Sequence, residues 1–240
     1  MKREFVRTEN AKRFRAAISM LDARGAQEAG WLLVTGRPGE GKTTTIYNWA
    51  SEVRATMLTA QANWTVTRML DDLAAKLSID GGRGLQAKIG QTIAESEIPI
   101  VVDEAQFALH DGAACLEVLR GITDKSKTPL VAITMESDVP KFNRRTQIGS
   151  RFFHQLDFRP STEEDVIAAC AQLAEVHIGD DLARRIHADT SARMRLVMNA
   201  IARVEQVARR LGKAQIGADD VKAMPLVEDF QRLGARKRGV

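Results

Sequence analysis

The chain has 240 residues, 44% of them hydrophobic, which is enough for one large or two small domains with a buried core and excludes a disordered protein. Its formal net charge of +4 permits nucleic-acid binding without requiring it. No apolar run approaches the roughly 20 residues that span a bilayer, and the opening MKREFVRTEN lacks the apolar region of a signal peptide, so we expect a cytoplasmic protein without a membrane segment.

The first 160 residues alternate between helical and strand-like patterns. Phe14, Ile18 and Leu21 have helical spacing within residues 10–25, and the apolar run WLLVTG that follows predicts a buried strand. Further helices are predicted from the end of a Gly-rich loop to about Val53 and at residues 64–79, 84–96 and 113–126. Further strands are predicted at residues 55–60, 98–106, 129–135 and 151–158. This alternation predicts an α/β domain whose parallel sheet is covered by helices on both faces.

The Gly-rich loop between the first strand and the next helix reads GRPGEGKT and fits the phosphate-binding pattern G-x-x-x-x-G-K-[ST]. Glycines allow the loop to wrap a polyphosphate with its N–H groups pointing inward, at the positive end of the following helix. Lys42 is expected to reach the β- and γ-phosphates, and the Thr43 hydroxyl to ligate Mg²⁺. The predicted nucleotide-binding residues are Gly36, Arg37, Pro38, Gly39, Glu40, Gly41, Lys42, Thr43 and Thr44.

A second motif, IPIVVDEAQ, puts Asp103 and Glu104 at the carboxyl end of a strand, where ligands of open α/β sheets bind. Asp103 is expected to hold Mg²⁺ through its water shell, and Glu104 to polarise the water that attacks the γ-phosphate. This pair favours hydrolysis over a small-molecule kinase, which needs no water-activating acid. A GTPase is disfavoured, because TDKS at residues 123–126 is a poor match to the guanine-reading Asn-Lys-x-Asp element.

Two cysteines, Cys115 and Cys170, lie far apart, each within an apolar helical pattern. Reduced core thiols are therefore favoured over a disulfide or a metal site, and the four histidines offer no ligand spacing.

The pattern changes after Pro160, from where every periodic segment is helical and IGADDVKAM predicts a last short helix. Ser161 with Glu164 fits a capping box at the start of this region. We predict an α/β nucleotide-binding domain over residues 1–160, a small all-helical lid domain over residues 161–228 and a basic C-terminal tail over residues 229–240.

The combination of GRPGEGKTT, VVDEAQ, a following apolar strand, an Arg at the head of the next strand and a helical lid resembles an AAA+ ATPase. The spelling Asp-Glu-Ala-Gln, the short leader before the loop and the compact size resemble the MuB, TnsC and TniB transposition regulators. The resemblance covers residues 5–225. It implies a P-loop NTPase fold with ATP and Mg²⁺ as ligands.

The resemblance also implies roles for three further residues. Thr134 lies where the family keeps a polar sensor of the γ-phosphate, although many members have Asn there. Arg151 in GSRFF matches the arginine finger that a neighbouring subunit inserts into the ATP site, the alternative being an Arg paired with a surface acid. Arg195 in SARMRLVMNAI fits the second sensor best, with Arg193 as its rival.

Proteins similar to this one form a homo-oligomer, a helical filament or ring, on double-stranded DNA in the bacterial cell. The resemblance implies that this assembly recruits and stimulates a transposase at a target site, and that ATP hydrolysis takes it apart. DNA binding of this sort is sequence-independent and salt-dependent. The candidate DNA contacts are Arg68, Lys141, Arg144 and Arg145.

Two alternatives share these motifs. A helicase loader of the IstB and DnaC type would act on a protein client instead of a transposase. A secretion-associated ATPase of the ExeA type shares Asp-Glu-Ala-Gln, but such proteins continue into a membrane segment and a cell-wall-binding domain, and neither is found in this sequence.

Overall fold

A computed structural model of the protein describes residues 1–227. The predicted basic tail, residues 229–240, lies outside the described residues. The strands are β1 Trp31–Thr35, β2 Thr56–Thr59, β3 Ile100–Asp103, β4 Leu130–Ile133, β5 Phe152–Asp157, β6 His177–Ile178 and β7 Gln215–Ile216. The helices are α1 Glu9–Asp22, α2 Lys42–Val53, α3 Val66–Lys76, α4 Leu85–Ser96, α5 Ala114–Ser126, α6 Val139–Asn143, α7 Thr146–Gly149, α8 Glu163–Leu173, α9 Asp180–Thr190 and α10 Met194–Leu211.

The chain divides into two compact units. The α/β unit comprises residues 13–38 and 42–158, and the helical unit comprises, among the described residues, 1–12, 39–41 and 159–227. The sequence predicts a single domain over residues 1–160. The structure instead groups the N-terminal segment and three loop residues with the helical unit, because their partners are distant in sequence: the amide of Asn10, for example, donates to the Arg159 carbonyl over 2.7 Å.

The α/β unit contains a five-stranded sheet in the order β2-β3-β4-β1-β5, and every pairing in it is parallel. Each predicted strand and helix of this unit is present, with bounds a few residues shorter than the pattern indicated. The order places β4 between β3 and β1. The segments that leave the carboxyl ends of these three strands therefore emerge side by side at one edge of the sheet.

Both faces of the sheet are buried, which explains why the strands read as continuous apolar runs. Alternate residues of β1 point to opposite sides: Trp31 and Leu33 pack against α3, α4 and α5, whereas Leu32 and Val34 pack against α1 and α2. All four side chains are at most 2% exposed. The predicted fold class, a parallel sheet covered by helices on both faces, is confirmed.

The helical unit has its own apolar core, formed chiefly by α8, α9 and α10. Helix α10 lines this core with Val197, Ile201, Val204 and Ala208, which have the spacing of one helix face, whereas Leu211, further along the same spacing, is 51% exposed. The expectation of helices alone needs correction, because β6 and β7 pair in parallel as two-residue strands. Their ladder aligns His177 with Gln215 and Ile178 with Ile216, each pair 38 positions apart in the chain. The strands are too short to leave a periodic signal in the sequence. The predicted last helix is a single 3₁₀ turn, Ala218–Val221.

The capping box of α8 was placed one residue too early. Thr162, not Ser161, caps the helix: its hydroxyl accepts from the Asp165 amide over 3.1 Å, and the Asp165 carboxylate accepts from the Thr162 amide over 3.1 Å. Both pairs have the required spacing of three residues. A tertiary bond favours the later pair, because the Asp165 carboxylate also accepts the Glu9 amide over 2.8 Å.

Both cysteines are buried as free thiols, as predicted. Burial raises the pKa of Cys170 to about 12, and burial followed by the nearby Asp111 charge raises the pKa of Cys115.

We therefore expect neither thiol to react rapidly in the folded protein. At pH 8 only about 10⁻⁴ of Cys170 is thiolate, the nucleophilic form, since the pH lies four units below its pKa. An aromatic disulfide reagent should label both cysteines in denaturant within minutes and neither at a comparable rate in buffer. Rapid labelling of Cys170 in native protein would contradict its burial.

Within residues 1–227, no helix is long and apolar enough to cross a membrane.

Candidate functional site

The loop between β1 and α2 has the backbone of a phosphate-binding loop. Gly36, Gly39 and Gly41 all have positive φ, of 144°, 89° and 86°. Such angles are strained for residues with a side chain, which explains the glycines at these places. At Gly39 space is limiting as well, because an added Cβ would lie 3.2 Å from Cβ of Arg195. Any substitution there combines backbone strain with a steric conflict.

Lys42 is the first residue of the 12-residue helix α2, directly after the loop. Its ammonium group donates to the carbonyls of Gly36, over 2.7 Å, and Arg37, over 3.0 Å. The Lys42 charge lies at the same end of α2 as the amides of the first helical turn, which have no acceptor within the helix itself. This combination favours an anion such as a phosphate.

Thr43, the next residue, connects the loop to β3. Its hydroxyl donates to one oxygen of Asp103 over 2.9 Å, and the Glu104 amide donates to the other oxygen over 2.8 Å. Asp103 is only 7% exposed, and this burial raises its pKa, an effect opposed by the two hydrogen bonds and by the nearby Lys42 charge. A positive ion bound here would relieve the cost of burying the carboxylate.

The hydroxyl of Thr43 and the carboxylate of Asp103 are suitable ligands for Mg²⁺, a hard cation that prefers oxygen. No group of three or more His, Cys, Asp or Glu side chains that could hold a metal ion occurs in the described part of the chain. Mg²⁺ is commonly bound by one or two carboxylates together with substrate phosphates and water.

Glu104 takes a left-handed backbone conformation, with φ 53° and ψ 39°, at the turn between β3 and the 3₁₀ segment Ala105–Leu109. A non-glycine residue in this conformation is uncommon and is often found at functional sites. The turn ends the strand abruptly. The Glu104 carboxylate accepts a hydrogen bond of 2.6 Å from the side-chain amide of Gln106.

Thr134 follows β4 and is held in place by its backbone, because its amide donates to the Val34 carbonyl of β1 over 2.9 Å. Its side chain is buried, and the hydroxyl donates to the side-chain oxygen of Gln106, Oε1, over 3.0 Å. Gln106 thus connects Thr134 to Glu104. Gln106 stands in the motif IPIVVDEAQ, but no role for it is visible in the sequence, since its bond to a residue 28 positions away depends on the sheet order.

A hydrogen-bonded series therefore connects five residues at the carboxyl ends of the strands, with the link between Asp103 and Glu104 made by the Glu104 backbone amide. In order, it contains Thr43, Asp103, Glu104, Gln106 and Thr134. These residues come from segments that follow β1, β3 and β4, the three neighbouring strands of the sheet. The structure thus brings together four of the predicted site residues and adds Gln106.

Arg151 lies at the opposite edge of the sheet. It precedes β5, and its carbonyl accepts from the amide of Trp31, the first residue of β1. At about 3.3 Å per residue, the five residues of β1 put about 16 Å between this position and the loop at the other end of the strand. Arg151 therefore does not contribute to the site of its own subunit.

The Arg151 guanidinium forms a two-pronged ion pair with Asp124 near the end of α5, with both N–O distances at 2.8 Å. The bonds to Asp124 raise the pKa of Arg151. This is the pairing with an acid that the sequence analysis weighed against a finger role. The finger role stays a prediction.

The two candidates for the second sensor lie at the start of α10. Arg193 precedes the helix, and Arg195 is exposed in its first turn. The Arg195 amide donates to the Gly39 carbonyl over 3.0 Å within the helical unit. This bond distinguishes Arg195 from Arg193, although the sensor role itself stays a prediction for both.

The other predicted loop residues differ in exposure. Arg37 is exposed and forms an ion pair of 3.7 Å with Glu136, whereas Glu40 is only 4% exposed. Pro38 and Thr44 are exposed.

The candidate DNA contacts are all exposed, but they lie on two separate elements. Arg68 is in the first turn of α3, within 3.4 Å of the Asn63 side chain. Lys141 in α6 is paired with Asp138 at 2.5 Å, which offsets its charge, and Arg144 and Arg145 follow that helix. Arg144 and Arg145 are therefore the stronger candidates, and all four stay predictions.

A family model described as "AAA domain" matches residues 24–142. This part of the chain is therefore similar to an AAA domain. The match includes the phosphate loop, Asp103, Glu104 and Thr134, and it ends before Arg151 and Arg195. No curated protein matches the chain in sequence.

Solved structures share the fold of nearly the whole chain. Cdc6p from Pyrobaculum aerophilum has a TM-score of 0.67 and 19% identity, covering 92% of this chain and 68% of its own. The Aeropyrum pernix ORC2 protein, solved as ADPNP-ADP complexes, has a TM-score of 0.66 and 15% identity over 98% of this chain and 73% of its own. The Aeropyrum pernix ORC1 protein in complex with DNA has a TM-score of 0.60 and 16% identity over 92% of this chain and 65% of its own. At these identities the likeness shows the fold, which is the P-loop AAA+ fold.

Proposed function

We propose that this AAA-domain protein is a Mg²⁺-dependent ATPase that assembles on double-stranded DNA and regulates transposition. The ATPase activity is proposed from one observation: the Thr43 hydroxyl donates a hydrogen bond to Asp103, and Glu104 is the next residue in the chain. Hydrolysis of a phosphoanhydride requires three groups that meet here. They are the phosphate-binding loop, the buried Asp103 carboxylate beside the Thr43 hydroxyl, and the carboxylate of the next residue, Glu104. The structure of ORC2 from Aeropyrum pernix with ADPNP and ADP supports a nucleotide as the ligand.

Each residue of the site has a distinct task in this proposal. The loop amides and Lys42 bind the phosphates of ATP, and Thr43 and Asp103 hold Mg²⁺, which supplies positive charge to those phosphates when bound. Glu104 accepts a proton from the attacking water. The Thr134 hydroxyl donates a hydrogen bond to Gln106, at the same carboxyl ends of the strands. Arg195 is proposed as the second sensor.

A second subunit completes this site in the proposed assembly. Arg151 is about 16 Å from the site of its own chain, so as a finger it serves only a neighbour. ATP then stabilises the contact between subunits because the nucleotide is bound from both sides, and hydrolysis removes that stabilisation. This supports a homo-oligomer that assembles with ATP and comes apart after turnover.

DNA binding is supported by charge and by one structural neighbour. The net charge is +4, Arg144 and Arg145 are exposed, and the ORC1 protein with the same fold was solved in complex with DNA. Lys and Arg on phosphates give sequence-independent binding that weakens steeply with salt. The transposition role rests on the resemblance to MuB, TnsC and TniB, whose assemblies recruit and stimulate a transposase.

Negative-stain electron microscopy with duplex DNA tests this proposal, comparing ATP-γ-S with ADP at low salt. We expect filaments or rings on the DNA with ATP-γ-S and bare DNA with ADP. Lys42→Ala is the control, because it should lose nucleotide binding and assembly together. Bare DNA in both nucleotides would overturn the DNA part and favour a loader that acts on a protein client.

A further inference from the structure

Gln106 lies within the proposed ATPase site but has no task in it so far. Its side-chain amide spans two site residues, donating to Glu104 over 2.6 Å and accepting from Thr134 over 3.0 Å. Gln106 is partly buried, within the short 3₁₀ segment that follows the turn at Glu104. A side chain that hydrogen-bonds to both Glu104 and Thr134 is suited to fix their positions relative to each other.

The two bonds determine the orientation of the Gln106 amide. Only its nitrogen can donate to the Glu104 carboxylate, and this leaves its oxygen to accept from the Thr134 hydroxyl. The reverse orientation would place two oxygens against each other at Glu104. The amide is therefore a directional link whose two ends are not interchangeable.

The bonds also limit the freedom of both partners. One Glu104 oxygen is occupied by Gln106, so the other oxygen remains to accept a proton from water. At the opposite end, the hydrogen of the Thr134 hydroxyl is directed at Gln106. Thr134 is itself fixed to β1 by its amide, so the link ties the Glu104 carboxylate to the rigid sheet.

We propose that Gln106 is a positioning residue for ATP hydrolysis, which orients the Glu104 carboxylate through a link to Thr134. This inference rests on the proposed function. The side-chain bonds of Gln106 are to Glu104 and Thr134 and not to the phosphate loop, so its loss should lower kcat and leave KM nearly unchanged.

The test is the steady-state hydrolysis of ATP by Gln106→Met, which has a side chain of similar length but neither hydrogen bond. We expect kcat to fall by about 10- to 100-fold, the usual effect of removing a group that orients an active-site ligand. KM should change less than about threefold, since phosphate binding does not involve Gln106. Gln91→Met is the matched control, because Gln91 also donates to a glutamate, Glu95, over 2.7 Å, but on the exposed surface of α4.

A double-mutant cycle shows whether Gln106 acts through its partners. In the Glu104→Gln background, Gln106→Met should cause little further loss. Thr134→Val removes the hydroxyl and should be similarly non-additive with Gln106→Met, whereas Thr134→Ser keeps the donor and should preserve the coupling.

The outcomes separate the inference from the proposed function. If the unmodified protein hydrolyses ATP and Gln106→Met does so equally well, the inference fails alone. A loss of kcat that is fully additive with Glu104→Gln, or that accompanies a lower melting temperature and a raised KM, would make Gln106 merely structural and also overturn it. If the unmodified protein does not hydrolyse ATP, the proposed function and the inference fail together.

Discussion

Glu104→Gln is expected to slow ATP hydrolysis by about 10²- to 10⁴-fold, the contribution of a well-placed general base, while ATP still binds. The amide has nearly the shape of the carboxylate, and its oxygen still accepts the bond from Gln106, which spans 2.6 Å in the structure. It is far too weak a base to take a proton from water. Assemblies formed with ATP should therefore persist, as measured by single-turnover hydrolysis and by the lifetime of DNA-bound particles.

Glu52→Gln is the matched control for this substitution. Glu52 lies on α2, the helix that follows the phosphate loop, and its carboxylate pairs with Arg15 over 2.7 Å on an exposed surface. It should hydrolyse ATP at the unmodified rate. If Glu104→Gln abolishes ATP binding, the carboxylate is needed to maintain the turn, and its assignment as general base is wrong.

Arg151→Ala is expected to reduce hydrolysis by about 10³-fold or more, the lower end of the effect of an arginine finger. Because Arg151 lies at the sheet edge opposite to its own site, ATP binding by the isolated subunit should be unchanged. The substitution also removes two charged hydrogen bonds to Asp124, which lowers the free energy of unfolding by about 2 kcal/mol. Hydrolysis and thermal unfolding must therefore be measured together.

Asp124→Ala separates the two effects, because it breaks the same ion pair from the other side and leaves the Arg151 guanidinium in place. If Arg151 is a finger, Asp124→Ala loses stability but retains hydrolysis. Equal losses of hydrolysis in the two variants would make the ion pair, and not the finger, responsible.

Mixing variants tests whether Arg151 acts on a neighbouring subunit. A Lys42→Ala subunit has a defective loop but an intact Arg151, and an Arg151→Ala subunit has the converse. Their mixture should hydrolyse ATP faster than the sum of the two alone, because some interfaces then combine an intact loop with an intact finger. A mixture no faster than that sum would exclude action between subunits.

Local signals in the sequence were sufficient for the five strands and the longer helices of the α/β unit and for the nucleotide motifs. The apolar runs of β1, β3 and β4 and the helical stripes predicted the α/β fold, since burial on both faces leaves a period that is visible along the chain. The phosphate loop was predicted for a similar reason. Its glycines, Lys42 and Thr43 are consecutive, and the three positive φ angles are a local property of the backbone.

Features that depend on pairing between distant segments were missed or misplaced. Thr162 replaces Ser161 as the cap of α8, although both have the right spacing, and the bond between Asp165 and Glu9 favours the later one. Likewise, β6 and β7 are too short for a periodic signal and form only because the helical unit aligns them. The grouping of residues 1–12 with the helical unit depends on such contacts as well.

By itself, the sequence determined the five strands and the longer helices of the α/β unit, its parallel architecture and the composition of the phosphate loop, because periodicity and turn chemistry depend on residues that are close together in the chain. Only the tertiary structure decided which side chains meet. The order β3-β4-β1 places Thr134 close enough to Glu104 for Gln106 to hydrogen-bond to both. The direction of β5 places Arg151 beside Asp124 at the amino ends of the strands, away from the site. Strand order is a property of long-range packing, and no local pattern in the chain encodes it.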